Sequence, residues 1–175
     1  MTSTTMDKHT QARFADLLEA NRRIIFKVAH SYCWNPADRE DLAQDIVTQL
    51  WRAFPRFDPG RKFSTWMYRI ALNVAISFVR SGSFRGQHTV PLDETHHNVT
   101  SYTTRLGEGD EKIRELYAFI DQLDELNRAL ALLYLDECSY RDIAEILGIT
   151  ETNVATKIGR LKQRLRRALL ARNET

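Results

Sequence analysis

The chain has 175 residues, 43% hydrophobic and 27% charged, a balance that suits one ordinary globular domain or two small ones and excludes a disordered polymer. The net charge of +2 is uninformative as a total, but residues 154–172 hold seven Lys or Arg and no acid, whereas residues 106–127 hold seven acids against two basic residues; such a basic stretch is what phosphates feel. Two cysteines, Cys33 and Cys138, make no disulfide framework, and neither a signal-peptide core nor an apolar run of roughly 18 residues is legible, so the expectation is a reduced, cytoplasmic protein without membrane insertion.

Residues 12–33 carry Phe14, Leu17, Leu18, Ile24, Ile25 and Val28 at helical spacing, which predicts a first helix. Asn35-Pro36 then marks a new start. Asn is a good cap, Pro suits the first helical position, and Asp38, Glu40 and Asp41 favour the positive end of the helix dipole.

The second predicted helix runs over 37–54. At 100° per residue, Leu42, Ala43, Ile46, Val47, Leu50 and Phe54 form its core side. Asp41, Gln44, Asp45, Thr48 and Arg52 gather opposite, with Trp51 at the border. An aromatic beside carboxylates on an exposed arc suits a basic protein partner. A solvated face with Trp51 half in the core explains the same pattern.

Pro55 and Asp58-Pro59-Gly60 predict a loop, and a third helix spans 64–80. Met67, Ile70, Ala71, Val74, Ala75 and Phe78 cover much of it. One stripe differs: Trp66, Arg69, Asn73, Ser77 and Arg80 fall within about 80° of each other. Arg can hold phosphate, Asn can read a base edge and Trp can stack a base, so the stripe suits a single strand with its bases splayed out. Seven basic residues against one acid from Arg52 to Arg85 supply the positive surroundings. A polar stripe that merely meets water is the plainer alternative.

Helical periodicity dissolves over 81–110, where Ser81-Gly82-Ser83, Gly86, Pro91, Gly107 and Gly109 punctuate a polar run. This predicts a flexible linker, 82–110, between a domain at 1–81 and another at 111–175. Helices are expected at 111–122, 126–136, 140–147 and 151–172, and no strand pattern occurs. The predicted fold is all-α: two small helical domains joined by that linker.

The last two helices have the form of a helix-turn-helix. Ala144 is small where the helices touch, Gly148 makes the turn, Thr150 caps the second helix, and Ile149 and Val154 point inward. Val154, Ile158, Leu161 and Leu165 face the core, opposite Asn153, Thr156, Lys157, Arg160, Arg164 and Arg167. The start of a recognition helix reaches base edges and its later basic residues meet phosphates. Thr152, Asn153, Thr156 and Lys157 are therefore assigned to bases, and Arg160, Arg164 and Arg167 mainly to the backbone. A basic helical hairpin for a protein partner is the alternative.

The order of these segments resembles a known family. The run from Asp38 to Arg52, DREDLAQDIVTQLWR, resembles the sigma-factor segment that binds the coiled coil of the RNA polymerase beta-prime subunit. FSTWMYRIALN, ending at Asn73, resembles the segment that melts and captures the minus-ten promoter element. SYRDIAEILGITETNV, ending at Val154, resembles the helix-turn-helix that reads the minus-thirty-five element. Two such domains with only a linker between them resemble the extracytoplasmic-function (ECF) sigma factors.

The resemblance implies that residues 1–81 form sigma region 2 and residues 111–175 sigma region 4. It places Asp41, Gln44, Asp45, Thr48 and Trp51 at the polymerase. It places Trp66, Arg69, Asn73, Ser77 and Arg80 at the minus-ten element, with Asn73 at a captured base. The loop Ser81–Gln87 would set specificity through Phe84 and Arg85, and Thr152, Asn153, Thr156, Lys157, Arg160 and Arg164 would read the minus-thirty-five element. The implied partners are core polymerase (beta-prime coiled coil and beta flap), promoter DNA and an anti-sigma factor. Asn153 and Ala155 stand where many relatives have Thr and Lys, and Gly159 interrupts the recognition helix, so the promoter sequence itself is not implied.

A helix-turn-helix regulator with an N-terminal sensor would explain residues 111–172, but not the Asp41–Trp51 face or the Trp66–Asn73 stripe. A protein-binding helical adaptor leaves the acid-free basic stretch unexplained. No Gly-rich phosphate loop and no nucleophile with a plausible base is legible, so no enzyme and no cofactor is expected. His30-x-x-Cys33, with His88, His96 and His97 in the linker, has metal-like spacing, but no second cysteine pair completes a site. No metal is expected.

Overall fold

The computed structural model describes residues 7–82 and 111–173, and the chain divides into two compact units, Met1–Arg85 and Gly86–Thr175. Every regular element among the described residues is helical.

The first unit holds α1 (Lys8–Asn21), α2 (Arg23–Tyr32), α3 (Pro36–Ala53) and α4 (Phe63–Arg80). The helix expected over 12–33 is two helices, and the break has a local cause. The Asn21 side-chain amide donates to the Leu17 carbonyl at 2.9 Å, and the Arg22 N–H turns to Glu19 O at 3.4 Å, three residues back. A side chain competing for backbone carbonyls and a tightened turn are known causes of helix kinks. The change of direction lets α2 bury Ile24, Ile25, Val28, Ala29 and Tyr32.

The predicted start of α3 is present. Asn35 accepts from the Ala37 N–H at 2.8 Å, and Pro36 opens the helix. Arg39 Nε donates to the Cys33 carbonyl at 2.8 Å, which fixes the α2–α3 corner. Leu42, Ile46 and Leu50 are fully buried on the expected side of α3. Helix α4 packs on both α2 and α3, so its buried arc is broad: Met67, Ala71 and Ala75 are joined by Tyr68 and Leu72.

Beyond α3 a short 3-10 turn, Phe54–Arg56, leads into a loop closed by the Gly60 N–H donating to Asp58 Oδ1 at 2.9 Å. Phe57 stacks on Phe54 at 5.9 Å and meets Phe63 edge-on at 5.3 Å. These rings tie the loop to the start of α4.

The second unit holds α5 (Glu111–Asp121), α6 (Glu125–Leu135), α7 (Tyr140–Leu147) and α8 (Glu151–Asn173), each end within one residue of the predicted bounds. Arg128 Nη2 donates to the Asp121 and Leu123 carbonyls at 2.8 and 3.3 Å, holding the α5–α6 corner. Ser139 caps α7 reciprocally: its Oγ accepts from the Asp142 N–H at 3.0 Å and donates to Asp142 Oδ2 at 2.8 Å. Leu130, Leu133, Ile143, Val154 and Ile158 form the centre of this core.

Candidate nucleic-acid and protein interfaces

On α3, burial of Leu42, Ile46 and Leu50 turns Asp41, Gln44, Asp45, Thr48 and Trp51 outward, and all five are exposed. Trp51 is 39% exposed. Its ring meets Phe14 of α1 edge to face at 5.2 Å, so it is braced on one side and open on the other. The Thr48 hydroxyl donates to the Gln44 carbonyl at 2.8 Å, which leaves its oxygen lone pairs for a partner.

On α4, Arg69, Asn73, Ser77 and Arg80 are exposed along one stripe. Trp66 differs. It is half-buried, with its ring 5.0 Å from Phe57 and 5.3 Å from Phe63. Angular position alone placed it with the others; the aromatic cluster then takes up part of its surface. Phe54, Phe57 and Phe63 were not singled out as supports of this face, although their density on either side of the loop was visible in the sequence.

Between α3 and α4 lies an open groove of about 600 Å³. It brings Asp45 and Gln49 of α3 together with Asn73 and Ser77 of α4 over Ile70, Val74 and Phe78. Gln49 was not among the residues predicted to matter. Ser81 closes one end, its hydroxyl donating to the Phe78 carbonyl at 2.9 Å. Phe84 and Arg85 of the expected specificity loop lie outside the described residues, as do His88, His96 and His97.

In the second unit Gly148 adopts φ +68°, the left-handed conformation the turn requires. Thr150 Oγ1 accepts from the Asn153 N–H at 3.1 Å, the predicted cap. Val154 and Ile158 are buried, so Thr152, Asn153, Thr156, Arg160 and Arg164 stand exposed and Lys157 half-exposed on the opposite side. The Thr156 hydroxyl donates to the Thr152 carbonyl at 3.0 Å and can still accept. The Arg164 guanidinium lies 5.9 Å from the Phe119 ring centroid, which orients it against its own domain. Lys162, off the predicted reading face, sits 4.6 Å over Tyr134, and a hydrogen bond with that residue raises its pKa.

Among the described residues no group of three His, Cys, Asp or Glu could hold a metal ion. His30 Nδ1 is 2.8 Å from the Phe26 carbonyl oxygen. Cys33 is fully buried, and burial first, then the neighbouring Asp38 charge, pushes its thiol up to about 12, so it stays protonated. No helix among the described residues is long and apolar enough to cross a membrane.

Comparison with known proteins agrees with this layout. Residues 17–85 match the Sigma-70 region 2 family model, and residues 113–165 match the Sigma-70 region 4 model. The chain is 31% identical over 172 residues to the ECF RNA polymerase sigma factor SigW of Bacillus subtilis, covering 93% of this chain and 91% of that protein. Among solved structures, CnrH in complex with the cytosolic domain of CnrY aligns with a TM-score of 0.67 and 26% identity over 92% of this chain and 90% of that one. The sigma factor RpoE of Bartonella quintana, solved with the anti-sigma factor NepR, shares the fold at a TM-score of 0.63 and 19% identity, over 93% of this chain and 98% of that one. With both region models in order and a relative of this similarity along nearly its whole length, the chain belongs to the ECF sigma factors of the sigma-70 family.

Proposed function

We propose that this chain works in the cytoplasm as an alternative sigma factor: it binds core RNA polymerase, reads a two-element promoter and favours its melted form. One observation carries the reading. Adjacent helices of the first unit present exposed faces of opposite character, acidic with a braced Trp51 on α3 and basic with Asn73 on α4.

Asp41, Gln44, Asp45, Thr48 and Trp51 meet the basic beta-prime coiled coil. Trp51 is the anchor, because Trp is among the residues that carry much of the energy of such contacts. Arg69 and Arg80 hold the backbone of the non-template strand, Asn73 and Ser77 meet a base turned out of the stack, and Phe84 and Arg85 complete the site from the loop. Trp66 contributes an edge of its ring and stiffens the platform. Thr152, Asn153, Thr156 and Lys157 read the minus-thirty-five element, with Arg160 and Arg164 on phosphates. A small apolar cleft of about 90 Å³ between α5, α6 and α8, with Leu135 exposed at its edge, suits the beta flap. The domains run over 1–81 and 111–175, joined by 82–110.

The chain acts by binding alone. Interactions made only with the unstacked strand shift the duplex toward opening, as any ligand shifts an equilibrium by its differential affinity. An anti-sigma factor would silence it by covering these faces; CnrH and RpoE, each solved with a partner, support that reading. Size-exclusion chromatography with core polymerase tests the first step. Co-elution is expected, and separate elution of the two would overturn the proposal. Affinity purification from unstressed cells tests the control: a stoichiometric non-polymerase partner is expected, and recovery of polymerase alone under every condition would contradict it.

A further inference from the structure

The groove between α3 and α4 holds chemistry that the stripe on α4 does not explain by itself. Asp45 and Gln49 are four residues apart on α3, as Asn73 and Ser77 are on α4, so each pair shares one helix face. The two pairs line opposite walls over an apolar floor of Ile70 and Val74. All four side chains are exposed, and none of Asp45, Gln49 and Asn73 has a side-chain hydrogen bond or ion pair to another described residue. At about 600 Å³ the space falls in the roughly 300–1,000 Å³ range of ligand pockets. Among the described residues no Lys or Arg lines it; Arg69 and Arg80 stand outside on α4.

A groove walled by a carboxylate and two amides offers hydrogen-bond donors and acceptors to a base edge. We infer that Gln49 is a specificity-determining residue: across the groove from Asn73, it reads the captured base of the minus-ten strand.

The chemistry follows from the donor inventory. Each amide can turn a donor or an acceptor to a Watson–Crick edge, so two facing amides can together match the donor–acceptor pattern of one base. The sugar-phosphate backbone then lies at the rim, near Arg69 and Arg80. The inference rests on the reading of Asn73 as a base-capturing residue.

The test uses the full chain with core polymerase and a promoter library randomised through the minus-ten element, and reads base preference at each position from transcript abundance. Three proteins are compared: the natural chain, Gln49→Leu and Asn73→Ala. Gln49 adjoins Asp45 and Thr48 of the proposed polymerase face, so the amount of holoenzyme formed by each variant is measured alongside and base preference is read per holoenzyme. The natural chain is expected to prefer one base at one position. Gln49→Leu should flatten that preference by about tenfold, the scale of one amide–base contact, and leave other positions unchanged. If Asn73→Ala flattens one position and Gln49→Leu flattens none, Gln49 does not read the base and this inference fails while the capture reading stands. If neither variant alters any position, the capture reading fails and takes this inference with it.

Discussion

Phe14 of α1 and Trp51 of α3 meet edge to face, ring centroids 5.2 Å apart and planes at 76°. Phe14 is buried and also touches Phe54 at 5.0 Å, so the first helix of the chain supports the aromatic that stands at the edge of the acidic face. The two residues should separate cleanly under mutation. Phe14→Ala opens a cavity and should cost about 3 kcal/mol of stability, measured by urea denaturation. Trp51→Ala removes a partly exposed ring; it should cost less stability but lower affinity for core polymerase by about 2 kcal/mol, the scale of an interface hot spot.

The acidic face and the α4 stripe should be separable too. Asp41 is exposed and does not line the groove, unlike Asp45. Asp41→Arg should therefore weaken holoenzyme formation by at least tenfold through charge reversal alone, with stability changed by less than about 0.5 kcal/mol. Asn73→Ala should do the reverse, leaving holoenzyme formation intact while slowing promoter opening in a permanganate footprint. An Asn73→Ala protein that opens every promoter normally would remove Asn73 from the strand-capturing role.

Gly148, in the turn, and Gly159, inside the recognition helix, differ in backbone. Gly148 has φ +68°, and a Cβ there would meet no atom within 4 Å, so its cost is purely conformational. Gly148→Ala should destabilise the second unit by about 1–2 kcal/mol. At Gly159, inside α8, a Cβ also meets no atom within 4 Å, and no left-handed φ is involved. Gly159→Ala should stabilise by about 1 kcal/mol. Thermal denaturation of the two variants gives opposite signs if this account holds.

Asp124 caps α6 by accepting from the Asn127 N–H at 2.9 Å. Burial tends to raise its carboxyl, but the backbone and side-chain hydrogen bonds from Asn127 outweigh it and hold the group below its usual 3.8. A depressed carboxylate stabilises the fold fully above its unfolded pKa, and that share is lost as pH falls through the folded value. Asp124→Ala should cost about 1 kcal/mol at neutral pH, and the gap to the natural chain should narrow below pH 3.8.

Periodicity made much of this molecule legible. The Asn35-Pro36 start, the buried row Leu42, Ile46 and Leu50, and the turn at Gly148 follow from spacing and residue type, because a helix end and a helix face are local properties. The break at Arg22 was not legible: a single Asn lowers helix propensity without ending a helix, and the Asn21 bond to Leu17 O becomes visible only in three dimensions. The half-burial of Trp66 was hidden for another reason. It depends on Phe54 and Phe57, brought against it across a loop that has no period. Gln49 carries no signal in the sequence, because its place in the groove is set by what α4 puts opposite it, which no pattern within α3 can reveal.

The most direct test of the central claim is transcription in vitro with this chain, core RNA polymerase from its own organism and fragmented genomic DNA, mapping transcript five-prime ends. The account predicts discrete new starts, absent with core enzyme alone and preceded by two short shared elements. No new starts, together with no binding to core polymerase, would contradict it and leave a helix-turn-helix regulator as the better description.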